Sequence, residues 1–280
     1  MAILTRRDAF ADTSPGSLSE LYHENTKLGT HVLGGANARI PVEYTVEELA
    51  LITRSFKEYR LHRRVPLPNP EAIASPFDEL VERRRTVRDF ADAELEQEEL
   101  AKVLHQTYGR TGEVRFAGGG VHGLRAAPSA GALYPAELYV GVRRVAGLAP
   151  GLYHYEVRDH ALALLEEGDQ TERLFEVCCF QRYAREAAVV LLIAAALQRT
   201  KRRYGERGYR YVFLDLGHLT QNLLLSATSL GLAAMTTCGF FDDTAARLLR
   251  LDGVEEAVLY VAFLGRPTPH WEGKTVLEGA

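Results

Sequence analysis

Cysteine is scarce in this sequence, and its placement excludes two frequent kinds of stabilised scaffold. The three cysteines are Cys178, Cys179 and Cys238, and no C-x-x-C pair is present. Adjacent cysteines such as Cys178 and Cys179 are poorly placed to form a disulfide with each other. We therefore expect no disulfide framework and no metal site, and the reducing cytoplasm is the expected compartment.

Long apolar runs and a strong excess of charge are also lacking. The longest apolar run, residues 187–197, is too short to cross a bilayer as a helix and predicts a buried strand. The first ten residues contain Arg6, Arg7 and Asp8 with no apolar stretch behind them, so we expect no secretory signal. A net charge of −4 over 280 residues gives no general attraction to nucleic acid or anionic membrane. These absences predict a soluble protein with neither as a partner.

Proline placement predicts the domain organisation. Residues 1–70 form a polar, helix-leaning extension that ends in a linker, because the three prolines between Val65 and Pro70 forbid a helix there. Residues 71–280 then form the main domain.

Apolar periodicity within the main domain predicts a mixture of helices and strands without regular βαβ alternation. The residues of 138–142 alternate as in a half-buried strand with Tyr139 and Gly141 outward, and no G-x-G-x-x-G follows a strand. We therefore predict an α+β fold in three layers, with a mixed central sheet flanked by helices. Helices are expected near 76–83, 95–108, 169–180, 208–230 and 242–251, and strands near 138–142, 153–157, 161–165, 187–196, 233–237 and 258–264.

A run of arginines follows the first helix of the main domain. Its residues are Arg83, Arg84, Arg85, Thr86, Val87 and Arg88. The planar guanidinium fork matches a phosphate, and Thr86 adds a hydroxyl within the same turn. Taken alone, the run is equally typical of a solvated basic face.

Two stretches of small residues could bring backbone close to a ligand. Residues 127–135 combine small side chains with the hydroxyl of Ser129, although an ordinary turn before a strand would read the same way. Residues 231–239 could place a strand end against a flat ring, or could simply be a core strand before a helix cap. Within them we expect Cys238 to be a small buried hydrophobe rather than a nucleophile.

Residues 199–211 combine basic and aromatic side chains. Six basic residues and three tyrosines lie in this segment. Such interleaving can hold single-stranded nucleic acid, or it can flank a helix start in solvent. The acidic balance of the whole chain argues against nucleic-acid binding.

The order of these segments resembles the nitroreductase superfamily. The residues that carry the resemblance are Arg84-Arg85-Thr86-x-Arg88, then 128–135 (Pro-Ser-Ala-Gly-x-Leu-Tyr-Pro), a long helix ending at Gly231-Leu232, and Gly239-Phe240 followed by two aspartates. Residues 22–27, 151–155 and Asp215-x-Gly-His218-x-x-Gln221-Asn222 are similar to the SagB/ThcOx-type branch. The resemblance covers about residues 77–266.

The resemblance implies an FMN bound at a homodimer interface. Carried over by position, the first segment would contact the phosphate, the ribityl chain and the pyrimidine edge, and residues 128–131 would approach from the other subunit. Cys238 and Gly239 would lie beside the reactive edge of the flavin. The implied cofactor-binding residues are Arg84, Arg85, Thr86, Arg88, Pro128, Ser129, Ala130, Gly131, Gln221, Asn222, Thr237, Cys238, Gly239 and Arg266.

Dehydrogenases of this branch oxidise azolines to azoles in ribosomal peptides with a Lys-Tyr pair. The matching positions here are Arg203 and Tyr204. Because arginine stays protonated, Tyr204 would take the proton while Arg203 stabilises its phenolate. Alternatively, Tyr204 only packs under the following helix. His218 is expected to be a core histidine rather than an acid.

Three functions remain open. The first is an FMN-dependent dehydrogenase that oxidises a C–N bond in a peptide-derived heterocycle or related substrate, with a cyclodehydratase as a possible partner. The second is an NAD(P)H-dependent nitro or quinone reductase. The third is a non-catalytic subunit of a peptide-modifying complex, or a basic-patch binding protein, which would bind no flavin or a flavin that never turns over.

Overall fold

The structure, a computed structural model, describes residues 18–27, 29, 76–115 and 121–269. The predicted linker and most of the N-terminal extension lie outside the described residues. The helices are α1 (Leu18–Thr26), α2 (Pro76–Arg83), α3 (Gln97–Tyr108), α4 (Thr171–Val177), α5 (Tyr183–Glu186), α6 (Leu197–Tyr204), α7 (Arg207–Ser229) and α8 (Asp242–Leu249). The strands are β1 (Arg110–Arg115), β2 (Val121–Arg125), β3 (Ala136–Val142), β4 (Gly151–Glu156), β5 (Ala161–Glu167), β6 (Val189–Ala196), β7 (Ala233–Thr237) and β8 (Glu256–Gly265).

Six of the described strands form one sheet in the order β5-β4-β3-β6-β8-β7. Every neighbouring pair in this sheet is antiparallel, so the prediction of a mixed sheet is wrong in this detail for the described strands. The reason is the connections: β3, β4 and β5 follow one another as hairpins, and β8 inserts between the mutually parallel β6 and β7. The α+β class itself is confirmed.

The sheet is covered on both faces, which confirms the three layers. On one face α3 and α7 pack through Leu104, Leu216 and Leu223. On the other face α4, α5 and α8 bury Leu174, Tyr183 and Leu248 among them. The central strand β6 is buried on both faces, because its alternating side chains enter the two cores in turn.

Strand β3 differs from its prediction as a half-buried strand. Tyr139 is 8% exposed, and all of β3 except Glu137 is buried. Helix α4 explains the difference: a Cβ at Gly141 would lie 2.5 Å from a methyl carbon of Leu174. The outward face of β3 is therefore the floor of a second core.

Helix α1 is attached to the main domain by buried polar contacts. The imidazole of His23 lies 2.9 Å from the Tyr209 hydroxyl through Nδ1 and 3.1 Å from the Gly253 carbonyl through Nε2. The ammonium of Lys201, which is 2% exposed, lies 3.6 Å from Glu20 and 3.2 Å from Glu206. Part of the predicted extension is thus packed on α6 and α7.

The β1–β2 hairpin, the short helix α5 and helix α6 were not predicted from the sequence. The β1–β2 hairpin is short and its strands are mostly polar, so it lacks the apolar alternation of a buried strand. Helix α6 occupies the segment whose basic residues pointed to solvent or nucleic acid. Carboxylates from other parts of the fold pair with Arg199 and Lys201 of this helix. The local sequence does not show these neighbours.

Candidate functional site

Residues 84–88, the arginine segment, are attached to the sheet edge just beyond α2. The N–H of Val87 donates to the carbonyl of Ala234 in β7 at 3.1 Å, and Val87 itself is 3% exposed. Further along, Ala91 N–H donates to the carbonyl of Arg266 at 2.9 Å. The segment is therefore held in one position relative to β7 and β8.

The arginines of this segment have different surroundings. Arg85 donates to the carbonyls of Glu82 at 2.6 Å and Arg84 at 2.8 Å, and so satisfies acceptors at the end of α2. Arg84 and Arg88 are both half-buried, and among the described residues no carboxylate or hydrogen-bond acceptor engages either guanidinium. Two half-buried cations that no described group neutralises, on a backbone held at a strand edge, form an arrangement that can bind an anion.

Arg266 has a structural partner. Its guanidinium makes two 2.8 Å hydrogen bonds to the carboxylate of Glu99 in the first turn of α3, and its Nε donates to the Glu94 carbonyl at 3.2 Å. This bidentate pair fixes α3 against the end of β8. A phosphate bound by Arg266 would have to share the guanidinium with Glu99.

Residues 237–239, the strand-end turn, follow β7. Gly239 N–H donates to the hydroxyl of Thr237 at 2.9 Å, and the amide of Gln181 donates to the Gly239 carbonyl at 2.6 Å. Cys238 is exposed at the tip, so the expectation of a buried cysteine is wrong. A strand rises about 3.3 Å per residue, so Ala234 and Thr237 lie about 10 Å apart. The arginine segment and the strand-end turn thus lie along one strand.

Residues 128–131, the proline–glycine loop, are held by Asp215, which belongs to a sequence motif of the branch but was not predicted to be a site residue. Asp215 in α7 accepts from Ser129 Oγ at 2.5 Å and from Ala130 N–H at 3.2 Å. Asp215 is 5% exposed, and its burial raises the pKa although both hydrogen bonds act in the opposite direction. The available signal was its position next to Leu216 on the apolar stripe of a predicted helix, where a carboxylate requires partners.

The proline–glycine loop also contacts the candidate catalytic pair. Gly131 has φ +62°, and a Cβ there would lie 2.7 Å from the hydroxyl of Tyr204 and 3.5 Å from Cδ and Nε of Arg203. The guanidinium carbon of Arg203 lies 5.6 Å from the centre of the Tyr204 ring. Arg203 is exposed and Tyr204 is half-buried. Glycine at position 131 therefore leaves the space that the phenol occupies.

The register of the sheet relates these groups to one another. Ala136 at the start of β3 is level with Ala257 of β8, through Ala195 of β6, and β7 runs toward that same end. The proline–glycine loop and the strand-end turn therefore lie toward one end of the sheet. Three strand spacings separate β3 from β7, which is about 14 Å.

The candidate residues of α7 differ in their exposure and surroundings. Gln221 is exposed, whereas Asn222 lines a groove of about 480 Å³ between α2, α3 and α7, together with Leu80 and Gln106. His218 is exposed, so the expectation of a core histidine is wrong: it lies at the margin of the buried face of α7, close enough for its charge to act on Asp215.

Two structural observations concern metals and membranes. Within the described ranges, no three or more histidine, cysteine, aspartate or glutamate side chains are arranged to hold a metal ion. Likewise, none of the helices in the described part of the chain combines the length and the apolar character needed to cross a bilayer.

Comparison with known protein families identifies the fold and the family together. The sequence model of the nitroreductase family matches residues 81–266. Among curated proteins, MJ1384 of Methanocaldococcus jannaschii, whose name places it among nitroreductases, is 36% identical over 187 residues, which are 67% of this chain and 89% of that protein.

Two further relatives are named for peptide processing. The trifolitoxin-processing protein TfxB of Rhizobium leguminosarum bv. trifolii is 29% identical over 63% of this chain, and the microcin B17-processing protein McbC of Escherichia coli is 28% identical over 49%. The matched region spans about half of each of these two proteins, 49% of TfxB and 53% of McbC.

Solved structures share the fold at lower sequence identity. A chain of the E. coli microcin synthetase McbBCD complex with truncated pro-MccB17 aligns with a TM-score of 0.71 at 21% identity, over 88% of this chain and 90% of that one. A nitroreductase-type protein of Desulfovibrio desulfuricans in complex with FMN aligns with a TM-score of 0.50 at 17% identity, over 74% of this chain and 94% of that one.

Proposed function

Because this chain belongs to the nitroreductase family, we propose that it is an FMN-dependent oxidoreductase of the SagB/ThcOx type. The observation that carries the proposal is the pair Arg84 and Arg88, two half-buried guanidiniums that no described carboxylate neutralises. Val87 fixes them against β7, about 10 Å from the strand-end turn. This spacing suits an elongated ligand with an anionic end and a flat ring.

The residues present fit FMN. Arg84 and Arg88 would hold the phosphate, where a guanidinium makes charge-assisted hydrogen bonds. The strand-end turn offers small side chains beside the ring, with Cys238 exposed at its tip. Arg85 and Arg266 fit less well, because backbone carbonyls and Glu99 already engage their guanidiniums. We therefore assign the phosphate chiefly to Arg84 and Arg88.

The homodimer belongs to the same proposal. The proline–glycine loop lies about 14 Å across the sheet from the strand-end turn of its own chain, which supports a role at the site of a second subunit. Apolar side chains on two neighbouring helices are exposed: Phe77 and Val81 on α2, and Phe213 and Leu214 on α7. We propose that a second copy covers these side chains and contributes its own proline–glycine loop to the site.

When bound, FMN would accept one hydride, which carries both electrons of the oxidation, from the carbon of the substrate C–N bond. The protein then has to remove a proton from the carbon next to that bond. Tyr204 is the proposed acceptor: its hydroxyl lies over Gly131, and Arg203 beside the ring would stabilise the phenolate. Arg203 itself would remain a cation throughout.

The peptide-processing names of TfxB and McbC support a peptide-derived heterocycle as the substrate, and a cyclodehydratase as the partner that supplies it. An NAD(P)H-dependent nitro or quinone reductase is the second candidate. It is favoured by arginine at position 203 in place of the lysine of the Lys-Tyr pair, and by the similarity to MJ1384.

The first experiment is the absorption spectrum of the purified protein, with the released chromophore identified by mass. We expect an oxidised flavin spectrum and FMN in the supernatant. Anaerobic addition of NADPH or NADH then separates the two candidates: rapid bleaching by either donor supports the reductase, and bleaching by an azoline-containing peptide alone supports the dehydrogenase. A colourless protein that does not take up added FMN would contradict both.

A pair of tyrosine substitutions tests the proton acceptor. Tyr204→Phe should leave FMN bound and lower kcat for azoline oxidation by about 10²-fold or more, since the phenolic oxygen is lost. Tyr211→Phe is the matched control, because the Tyr211 ring lies 5.0 Å from that of Tyr204 and keeps its packing without the hydroxyl. Equal rates for the two variants would exclude Tyr204 as the acceptor.

A further inference from the structure

A cationic cavity of about 630 Å³ lies beside the proline–glycine loop, and the proposed function does not use it. Its walls come from the β1–β2 hairpin, from the β4–β5 turn, and from Leu133 and Tyr134, which follow the loop directly. The charged residues in the lining are Arg110, Arg125, Arg158, Arg199 and Glu137. Four arginines therefore face one carboxylate.

Arg125 is the fixed cation of this cavity. Its guanidinium carbon lies 4.3 Å from the centre of the Tyr108 ring and 5.0 Å from that of Tyr134, so two aromatic faces determine its position. Its Nη1 is shielded from solvent and has no hydrogen-bond acceptor among the described residues. A buried, charged N–H without an acceptor is costly, and an anion beside the part of the guanidinium that lines the cavity would offset that cost by charge attraction.

The hairpin places a second arginine opposite the first. Arg110 and Arg125 are register partners in the β1–β2 pair, where like charges destabilise pairing. Arg110 lies across Gly123, where a Cβ would be 3.3 Å from its Nε, and it pairs with Glu113 at 2.5 Å. Glu113 thus compensates Arg110, whereas none of the described carboxylates pairs with Arg125.

The opposite wall adds a cation rather than an anion. Glu137, the one acidic side chain in the described lining, accepts from Arg199 at 2.5 Å and faces Nε2 of His154 at 2.9 Å. Arg158 in the β4–β5 turn is exposed, and no described carboxylate engages it. Glu137 is therefore already engaged, and the charges of Arg125 and Arg158 remain unbalanced.

We propose that this cavity binds an oxyanion, a carboxylate or a phosphate, between the fixed guanidinium of Arg125 and the exposed one of Arg158. Its volume exceeds that of the anion alone, so the group would be one end of a larger ligand that extends toward Gly131 and Tyr204. The inference rests on the proposed function only in assigning that ligand to the substrate side of the reaction. Anion binding itself does not depend on flavin chemistry.

Calorimetric titration of the purified protein tests the site, with inorganic phosphate, citrate, NADH and NADPH as probes. We expect binding of phosphate or citrate at low ionic strength, with the dissociation constant raised about tenfold by Arg125→Gln and about fivefold by Arg158→Gln. Arg173→Gln is the matched control, because this arginine pairs with Glu166 outside the cavity lining and should leave binding within about twofold.

The probes also identify the source of the anion. Citrate binding tighter than phosphate indicates a carboxylate-bearing ligand, whereas phosphate binding together with tighter NADPH than NADH indicates a nucleotide phosphate. Absence of binding by every probe up to about 10 mM overturns the inference, and so does binding that both arginine substitutions leave unchanged.

Using both Arg125→Gln and Arg158→Gln separates a loss of anion binding from a loss of folding. Should Arg125→Gln unfold the hairpin, the exposed Arg158→Gln still decides between the outcomes. FMN content is measured on the same samples: anion binding through Arg158 without FMN would preserve this inference and defeat the proposed function. Bound FMN without anion binding through Arg158 would overturn this inference and leave the proposed function standing.

Discussion

Two basic stretches of this chain look alike in sequence and differ in structure. In the arginine segment, the guanidiniums of Arg84 and Arg88 have no carboxylate partner among the described residues. In helix α6, Arg199 is paired with Glu137, and Lys201 is buried between Glu20 and Glu206. The difference lies in what the rest of the fold brings to each stretch.

The comparison indicates how a ligand-binding cation can be told from a structural one. A cation that the fold has already neutralised contributes to stability, because its removal leaves its carboxylate partners without a counter-charge. A half-buried cation without a partner carries a cost that a bound anion can remove. Mutation of a neutralised cation should lower the free energy of unfolding. Mutation of a cation without a described partner should weaken ligand binding.

The largest expected effect is on stability, at Lys201. Replacement by Met in Lys201→Met leaves Glu20 and Glu206 without their shared cation, and we expect the free energy of unfolding to fall by about 3 kcal/mol. Denaturant unfolding measures it. Arg202→Met on the exposed side of the same helix is the control and should change stability by less than about 0.5 kcal/mol. Similar losses in both variants would remove the distinction between the two kinds of cation.

The next effect is on binding, in the arginine segment. Arg84→Gln combined with Arg88→Gln should weaken FMN binding about 30-fold, or about 2 kcal/mol, with little change in unfolding. Fluorescence titration of the apoprotein with FMN measures it. Arg83→Gln is the control, because Arg83 already pairs with Glu79 on the exposed surface of α2. If the double variant binds FMN as tightly as this control does, the phosphate lies elsewhere.

A smaller effect is expected where α6 meets the proline–glycine loop. Gly131→Ala should lower stability by about 1.5 kcal/mol, because φ of +62° strains an alanine and its Cβ would approach the Tyr204 hydroxyl. In the Tyr204→Phe background the same change should cost about 1 kcal/mol, since the crowding oxygen is gone. A double-mutant cycle without coupling would show that the contact has no energetic weight.

The smallest effect concerns the pH dependence of Glu137. Burial raises the pKa of Glu137, but the hydrogen bond with His154 and the charge of Arg199 outweigh it and lower the pKa below its usual 4.5. A lowered pKa in the folded state stabilises the protein above 4.5, and this contribution is lost as the pH falls through the folded pKa. Glu137→Gln should therefore be less stable by about 1 kcal/mol near neutral pH.

Thermal unfolding from about pH 6 to about pH 3 measures this contribution. The stability difference between the native protein and Glu137→Gln should shrink as the solution is acidified. A difference that stays constant over the whole range would mean that the Glu137 charge contributes nothing to folding.

Much of the fold followed from local patterns. The strand at 233–237 was predicted at its observed bounds, and the long helix α7 within one residue at each end. Helix α7 has a strong period of apolar residues, the strand is a short apolar run, and both have a clear stop at a glycine or polar turn. The β1–β2 hairpin could not be predicted in this way because β1 is mostly polar and exposed. The antiparallel pairing around β8 could not be predicted because β6 and β8 are distant in sequence.

The candidate site was predictable in its residue types but not in their assignments. The sequence alone determined that this chain is an α+β protein with an arginine segment, a proline–glycine loop and a strand-end turn in the order typical of one family, because these depend on local periodicity and motif order. Only the tertiary structure decided that Glu99 engages Arg266, that Asp215 holds Ser129, and that Nη1 of Arg125 has no hydrogen-bond acceptor in the described part of the chain. Charges are neutralised or left unpaired by residues far away in the chain, and a local pattern carries no information about them.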